Sequence, residues 1–158
     1  MKVELGISTF GETTPLEKTG KAISHDQRIR DLVDEIVLAD KLGIDAYAIG
    51  EHHRKDFAVS APEMVLAMAA SKTKQLSSAT TNLPTINSIR VYEQYATMDT
   101  IAPGRIEIMA GRGSFTEAFD LFGYDLNDYN DLFKEKLDMF VSNKQKRNSE
   151  LAWWQIHT

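Results

Sequence analysis

Glu51, His52 and His53, a carboxylate followed by two imidazoles, are the side chains of this sequence best suited to chemistry. They come directly after Ala46-Tyr47-Ala48-Ile49-Gly50, an apolar run that suits a buried strand. A parallel strand carrying polar residues at its C-terminal end is the usual layout of an α/β ligand site. An imidazole changes charge near neutral pH, so one set beside a substrate or cofactor can serve as acid or base. Adjacent strand residues point to opposite faces. The two histidines are therefore not a simple metal pair: at most one of them looks into a given pocket, unless the backbone turns there. From this stretch alone, a polar surface loop would read the same way.

Two further segments have chemical character. Gly111-Arg112-Gly113-Ser114-Phe115 follows the alternating segment Arg105 to Ala110. Backbone N–H groups between glycines, together with a guanidinium, suit a phosphate or another anion; a tight turn has the same composition. Leu76 to Leu83 is rich in serine and threonine. Such small polar side chains let a ligand come close to a strand end, although threonine also simply favours strands.

The elements that must position these residues repeat a unit. Val3 to Ser8 reads as a first strand, and Thr9 to Lys21 as a long loop with Gly11, Pro15 and Gly20. Ser24-His25-Asp26-Gln27 matches a capping box, with Gln27 reaching back. Ile29, Leu32, Val33, Ile36 and Val37 then recur at helical spacing until Gly43 ends the helix. Ser60-Ala61-Pro62-Glu63 opens a second helix whose Met64, Val65, Met68 and Ala69 read as sheet packing. Asn87 or Ser88 caps a third helix, with Val91, Tyr95 and Met98 on one face. On the fourth strand Ile106 and Ile108 share a face, and Glu107 and Met109 take the other. Asp128 to Val141 makes a fourth helix. Four strand–helix units predict a parallel sheet with right-handed crossovers, and a closed barrel takes eight units in about 250 residues.

Composition narrows the classes. The 158 residues suit one domain, and 42% hydrophobic with 26% charged residues is ordinary for a globular protein. A net charge of −5 argues against general nucleic-acid binding, which rests on clustered Lys and Arg. No apolar run approaches the roughly 20 residues of a membrane span, and Met1-Lys2 leads straight into strand-like sequence rather than a signal peptide. The absence of cysteine excludes disulfides, thiolate nucleophiles and cysteine-ligated metals. A cytoplasmic location is the default expectation. Residues 142–158 break the pattern with a polar, basic run and then Trp153-Trp154, as an unrelated extension, a frameshifted end or a disordered tail would.

Three blocks resemble the bacterial-luciferase-like, flavin-dependent monooxygenases: Ile49-Gly50-Glu51-His52-His53, Leu76-Ser77-Ser78-Ala79-Thr80, and Pro103-Gly104-Arg105 through Gly113-Ser114-Phe115. Leu121 to Asp125 and Leu132 to Leu137 resemble them too, so the likeness runs from residue 3 to about 141 in the family's order. Ile86-Asn87-Ser88-Ile89-Arg90 departs from the proline–valine–arginine start usual for the family's third helix. The resemblance implies a TIM barrel, here a truncated half-barrel over residues 1–141, in which reduced FMN and oxygen oxidise an organic substrate. It implies that His52 is the active-site acid or base, that Ala79-Thr80 holds a cis peptide against the flavin ring, and that Ala110, Gly111, Arg112 and Ser114 bind the cofactor, Arg112 at its phosphate. Some members use a deazaflavin instead. The alternative is a non-catalytic half-barrel that binds flavin weakly or serves as an association module. Two raw sheet edges and an uncovered inner face predict a homodimer or larger homo-oligomer.

Overall fold

Leu32, Val33, Ile36 and Ala39 line one stripe of the first helix, and their burial beside Tyr47 and Ile49 sets that helix on the sheet. The computed structural model describes residues 3–15, 19–74 and 76–150, with the backbone alone for 76–82 and 143–150. Its strands are β1 (Gly6–Thr9), β2 (Ala46–Gly50), β3 (Leu76–Asn82) and β4 (Ile106–Gly111). The helices are α1 (His25–Lys41), α2 (Pro62–Ala70), α3 (Ser88–Asp99), α4 (Glu117–Phe122) and α5 (Tyr129–Glu150), with single 3-10 turns at Leu83–Thr85 and Leu126–Asp128. None of the described helices is long and apolar enough to cross a membrane.

The four strands pair in sequence order, β1-β2-β3-β4, and every pairing is parallel. Register explains which residues form the core. Tyr47 and Ile106 both sit opposite Ser77, and Ile49 and Ile108 both sit opposite Ala79, so all four share one face. That face meets Leu66, Val91, Tyr95 and Met98 of α2 and α3 in a single apolar cluster. Glu107 and Met109 take the opposite face and are exposed there, as the alternation predicts. On the edge strand β1, Ile7 pairs with Tyr47 yet stays 44% exposed.

Polar ties lock the helices to the strands. Tyr47 donates its hydroxyl to Glu35 (2.9 Å), and Arg28 donates to Glu35 (3.0 Å) and to Thr9 (3.3 Å), joining α1 to β1 and β2. Burial, and then the Glu35 carboxylate, push the Tyr47 hydroxyl well above the usual tyrosine range, so it stays protonated as a donor. Arg105 donates to the carbonyls of Ala70 (2.9 Å) and Thr73 (2.8 Å), closing the C-terminal end of α2. Lys136 donates to the Pro84 carbonyl (2.6 Å) and lies 4.0 Å from the centre of the Tyr124 ring, which holds α5 to the turn after β3.

Several expectations need correction. Ser24 is the N-cap of α1 but makes no side-chain cap bond; Gln27 turns forward and donates to Asp31 (2.7 Å) rather than reaching back. The N-cap of α2 is Ala61, not Ser60. Met64 and Met68 are exposed on α2, while Val65, Leu66, Ala69 and Ala70 do the packing. That helix is apolar on nearly every side, so its sequence does not show which side is buried. The short helix α4 was not expected. Neither was the continuation of α5, which keeps residues 142–150 helical where a linker was expected; residues 151–158, with both tryptophans, lie outside the described residues. Among the described residues no peptide bond is cis, so a cis Ala79–Thr80 bond finds no support in the backbone. Asn87 does cap α3, accepting from the amides of Ile89 (3.0 Å) and Arg90 (3.1 Å), and Gly43 has the left-handed φ of 78° that ends α1.

Candidate active site at the strand ends

The loops after β1 and β2 are joined over the strand ends. Glu12 and Phe57 form an antiparallel bridge, Thr13 donates its amide to Asp56 (2.9 Å), and Ala58 donates to Gly11 (2.8 Å). The His52 amide donates to the Val59 carbonyl (3.0 Å), so the backbone past Gly50 is held on both sides. This framework delivers three phenyl rings to His52. Phe57 stacks on its imidazole at 4.4 Å between centroids, and Phe10 and Phe115 meet it edge-on at 4.9 and 4.7 Å. The Arg54 guanidinium lies 5.2 Å from the Phe115 ring centre and 5.7 Å from that of Phe57, while pairing with Asp56 (2.9 Å).

His52 is buried, and that burial lowers its pKa below the usual histidine value; Arg54 acts the same way, against the carboxylates of Glu117, Glu12 and Glu51. At neutral pH the ring is therefore a free base, able to take a proton on a ring nitrogen. It opens onto a narrow cleft. The end of β2 supplies Gly50, Glu51 and His52 to its lining, the loop after β4 supplies Gly111 through Phe115, and Phe10 closes it from β1.

His53 takes no part in that lining. Its Nε2 donates to Glu51 at 2.8 Å, with side chains only 8% and 5% exposed, and its ring meets Phe122 of α4 edge-on at 5.1 Å. His52 lines the cleft and His53 does not, yet strict alternation does not run past Gly50, since the adjacent Glu51 and His52 both line it. Glu63 at the start of α2 is half-buried, accepts from Gln94 (3.3 Å), and has its pKa raised by that burial and further by the charge on Glu51.

The other expected cofactor residues fall unevenly. Gly111, Arg112 and Ser114 line the cleft together with His52, but Ala110 stays within β4, paired to Thr81, and does not. Ala79 sits in register with Ile49 and Ile108, and Thr80 with Gly50 and Met109, which puts Thr80 beside a cleft residue; their side chains lie outside what is described. Arg112 is not a free cation. Its guanidinium lies 5.1 Å from the Tyr129 ring centre and 4.9 Å from that of Phe133, and it donates to Asn130. Two aromatic faces and one amide oxygen, all from α5, hold it. Sequence reasoning missed the ring of Phe10, Phe57 and Phe115. Its signal was three phenylalanines in otherwise polar loops.

The sequence model of the family described as luciferase-like monooxygenase matches residues 3–142. The chain belongs to the luciferase-like monooxygenase family. Among its relatives are N-acetyl-S-alkylcysteine monooxygenase of Bacillus subtilis, 32% identical over 106 residues that make up 64% of this chain and 32% of the relative. The oxygenase component of the flavin-dependent trigonelline monooxygenase of Acinetobacter baylyi is 30% identical over 105 residues, 62% of this chain and 29% of that one. Among solved structures, the oxygenating constituent of 3,6-diketocamphane monooxygenase from Pseudomonas putida, a type II Baeyer–Villiger monooxygenase in complex with FMN, superposes with a TM-score of 0.78. That match covers 89% of this chain and 38% of the other at 24% identity, and shows a shared α/β fold. The luciferase-like chain described here spans about a third of the length of the curated relatives it matches, 35% in one case.

Proposed function

We propose that this chain supplies the first four strand–helix units of a luciferase-like barrel, residues 1–141, and serves a flavin-dependent monooxygenation of an organic substrate. The observation that carries the reading is one cleft shared by a buried free-base imidazole, His52, and a glycine-flanked arginine, Arg112. The residues present fit a flavin mononucleotide in kind. Gly113 has a φ of 77°, which lets the loop turn tightly, and Arg112 offers a cation already oriented by Tyr129, Phe133 and Asn130. These groups would hold the phosphate, and Ser114 lies beside them in the cleft. Reduced flavin, when bound, supplies the electrons that activate oxygen. His52 takes up or returns a proton on its ring nitrogen next to the reacting atoms, while Phe10, Phe57 and Phe115 keep water from it.

The bare face of the sheet and its two open edges support a homodimer or larger homo-oligomer as the working form. A second reading, a non-catalytic half-barrel that binds flavin weakly, is favoured by one observation: Phe10 and Phe115 already pack on His52 where a ring system would have to enter. The experiment separating the two titrates the purified chain with reduced FMN and with a reduced deazaflavin, following absorbance and then oxygen uptake. Flavin binding with oxygen uptake above that of free flavin is the expected result. Binding without uptake supports the second reading, and no binding overturns both.

A further inference from the structure

His52 has a task in the chemistry proposed above; Glu51 and His53, on either side of it, have none. Yet both are nearly buried, and taking a carboxylate and an imidazole out of water costs several kcal/mol unless they are bonded. Here they are bonded to each other at 2.8 Å, two residues apart, with His52 between them. The bond fixes the backbone of three residues at once. Turning residues 51–53 about the chain would break this buried charge-assisted bond.

A second contact points the same way. The His53 ring meets Phe122 of α4 edge-on at 5.1 Å, while the His52 ring meets Phe57 and Phe115. Phe115 belongs to the loop that leads into α4, so the two histidines grip the same segment from different places. His53 lies outside the cleft lining and His52 inside it. We propose that Glu51 and His53 are positioning residues for His52: their buried bond holds the strand end so that the intervening imidazole stays directed into the cleft.

The inference rests on reading His52 as the group that acts on substrate, but its test does not need flavin. Histidine ring signals are followed by NMR through a pH titration of the flavin-free chain, with contacts from His52 to Phe57 and Phe115 read as NOEs. The deciding variant is Glu51→Met with His53→Phe. Replacing both members of a buried pair by apolar residues of similar volume is often neutral or stabilising, so this protein should melt as cooperatively as its parent. A merely structural pair would leave His52 undisturbed in such a variant. The expected result is loss of the His52–Phe57 NOE and a titration midpoint for His52 that rises toward the ordinary histidine value. The midpoint rises because the burial that most strongly lowers it is relieved; loss of the Glu51 charge acts weakly in the opposite sense, and Glu117, Glu12 and Arg54, the other charges that face His52, are unchanged.

A folded double variant in which His52 keeps both its NOEs and its midpoint overturns the proposal. If the double variant does not fold, Glu51→Gln decides: it keeps the shape and weakens the bond to His53, and an unchanged His52–Phe57 NOE overturns the proposal there as well. These signals are independent of flavin. Failure of the chain to bind flavin would count against the function proposed above and leave this result standing.

Discussion

A β-carbon on residue 50 would lie 2.2 Å from Cδ1 of Phe10, so the glycine at the end of β2 is what allows that ring to rest against the strand. Gly50→Ala should push Phe10 outward and weaken its edge contact with His52. Because the ring is half-exposed and can move, the cost belongs at the low end for overpacking, about 1 kcal/mol. Urea denaturation gives the cost, and loss of the Phe10–His52 NOE shows the displacement. A larger cost with the NOE retained would mean that the backbone, not Phe10, gives way.

Burial of His52 links stability to pH. Its folded pKa is lowered, so below the ordinary value of about 6.5 the unfolded chain takes up a proton that the folded chain resists. The stability is present in full above that value and is lost as pH falls through the folded pKa. Unfolding free energies measured across this range should decline toward acid, and His52→Gln should flatten the decline. An identical slope in the variant would show that other groups govern it.

The guanidinium of Arg112 is aligned by Tyr129, Phe133 and Asn130, which a lysine cannot reproduce. Arg112→Lys should weaken FMN binding far more than riboflavin binding, by about tenfold or more for a lost bidentate phosphate contact. Equal losses for the two ligands, measured by fluorescence titration, would exclude a role in phosphate recognition.

Arg105 holds α2 from below the sheet through the carbonyls of Ala70 and Thr73. Arg105→Ala leaves those carbonyls unpaired and should cost about 1.5–3 kcal/mol, the usual range for hydrogen bonds to a charged group. Urea denaturation measures this directly, and flavin affinity should not change, because Arg105 is no part of the cleft lining.

Turnover distinguishes the two histidines. His52→Ala should lower oxygen-dependent turnover by about 100-fold or more if the imidazole moves a proton, and His53→Ala by less. Equal losses would mean that the division between them is wrong.

The sequence made the strand order readable, because it follows from a local rule, the short connections between successive units. Asn87 as a cap is equally local. Other features depend on partners far along the chain. Nothing near Arg112 announces that Tyr129 and Phe133 will flank its guanidinium, and α2 has so little polar surface that Met64 and Val65 look equally suited to the core. The capping box at Ser24 failed because Gln27 finds a better acceptor one turn on, in Asp31.

The pairing of Glu12 with Phe57 has a dynamic consequence. Two loops that would otherwise fluctuate separately share backbone bonds from Thr13 to Asp56 and from Ala58 to Gly11, so neither can leave without breaking the other's. They open as one cooperative unit, and amide protons at Thr13 and Ala58 should exchange with solvent at matched free energies. Since Phe10 and Phe57 ride on these loops, access to His52 becomes a single all-or-none event rather than the independent motion of two rings.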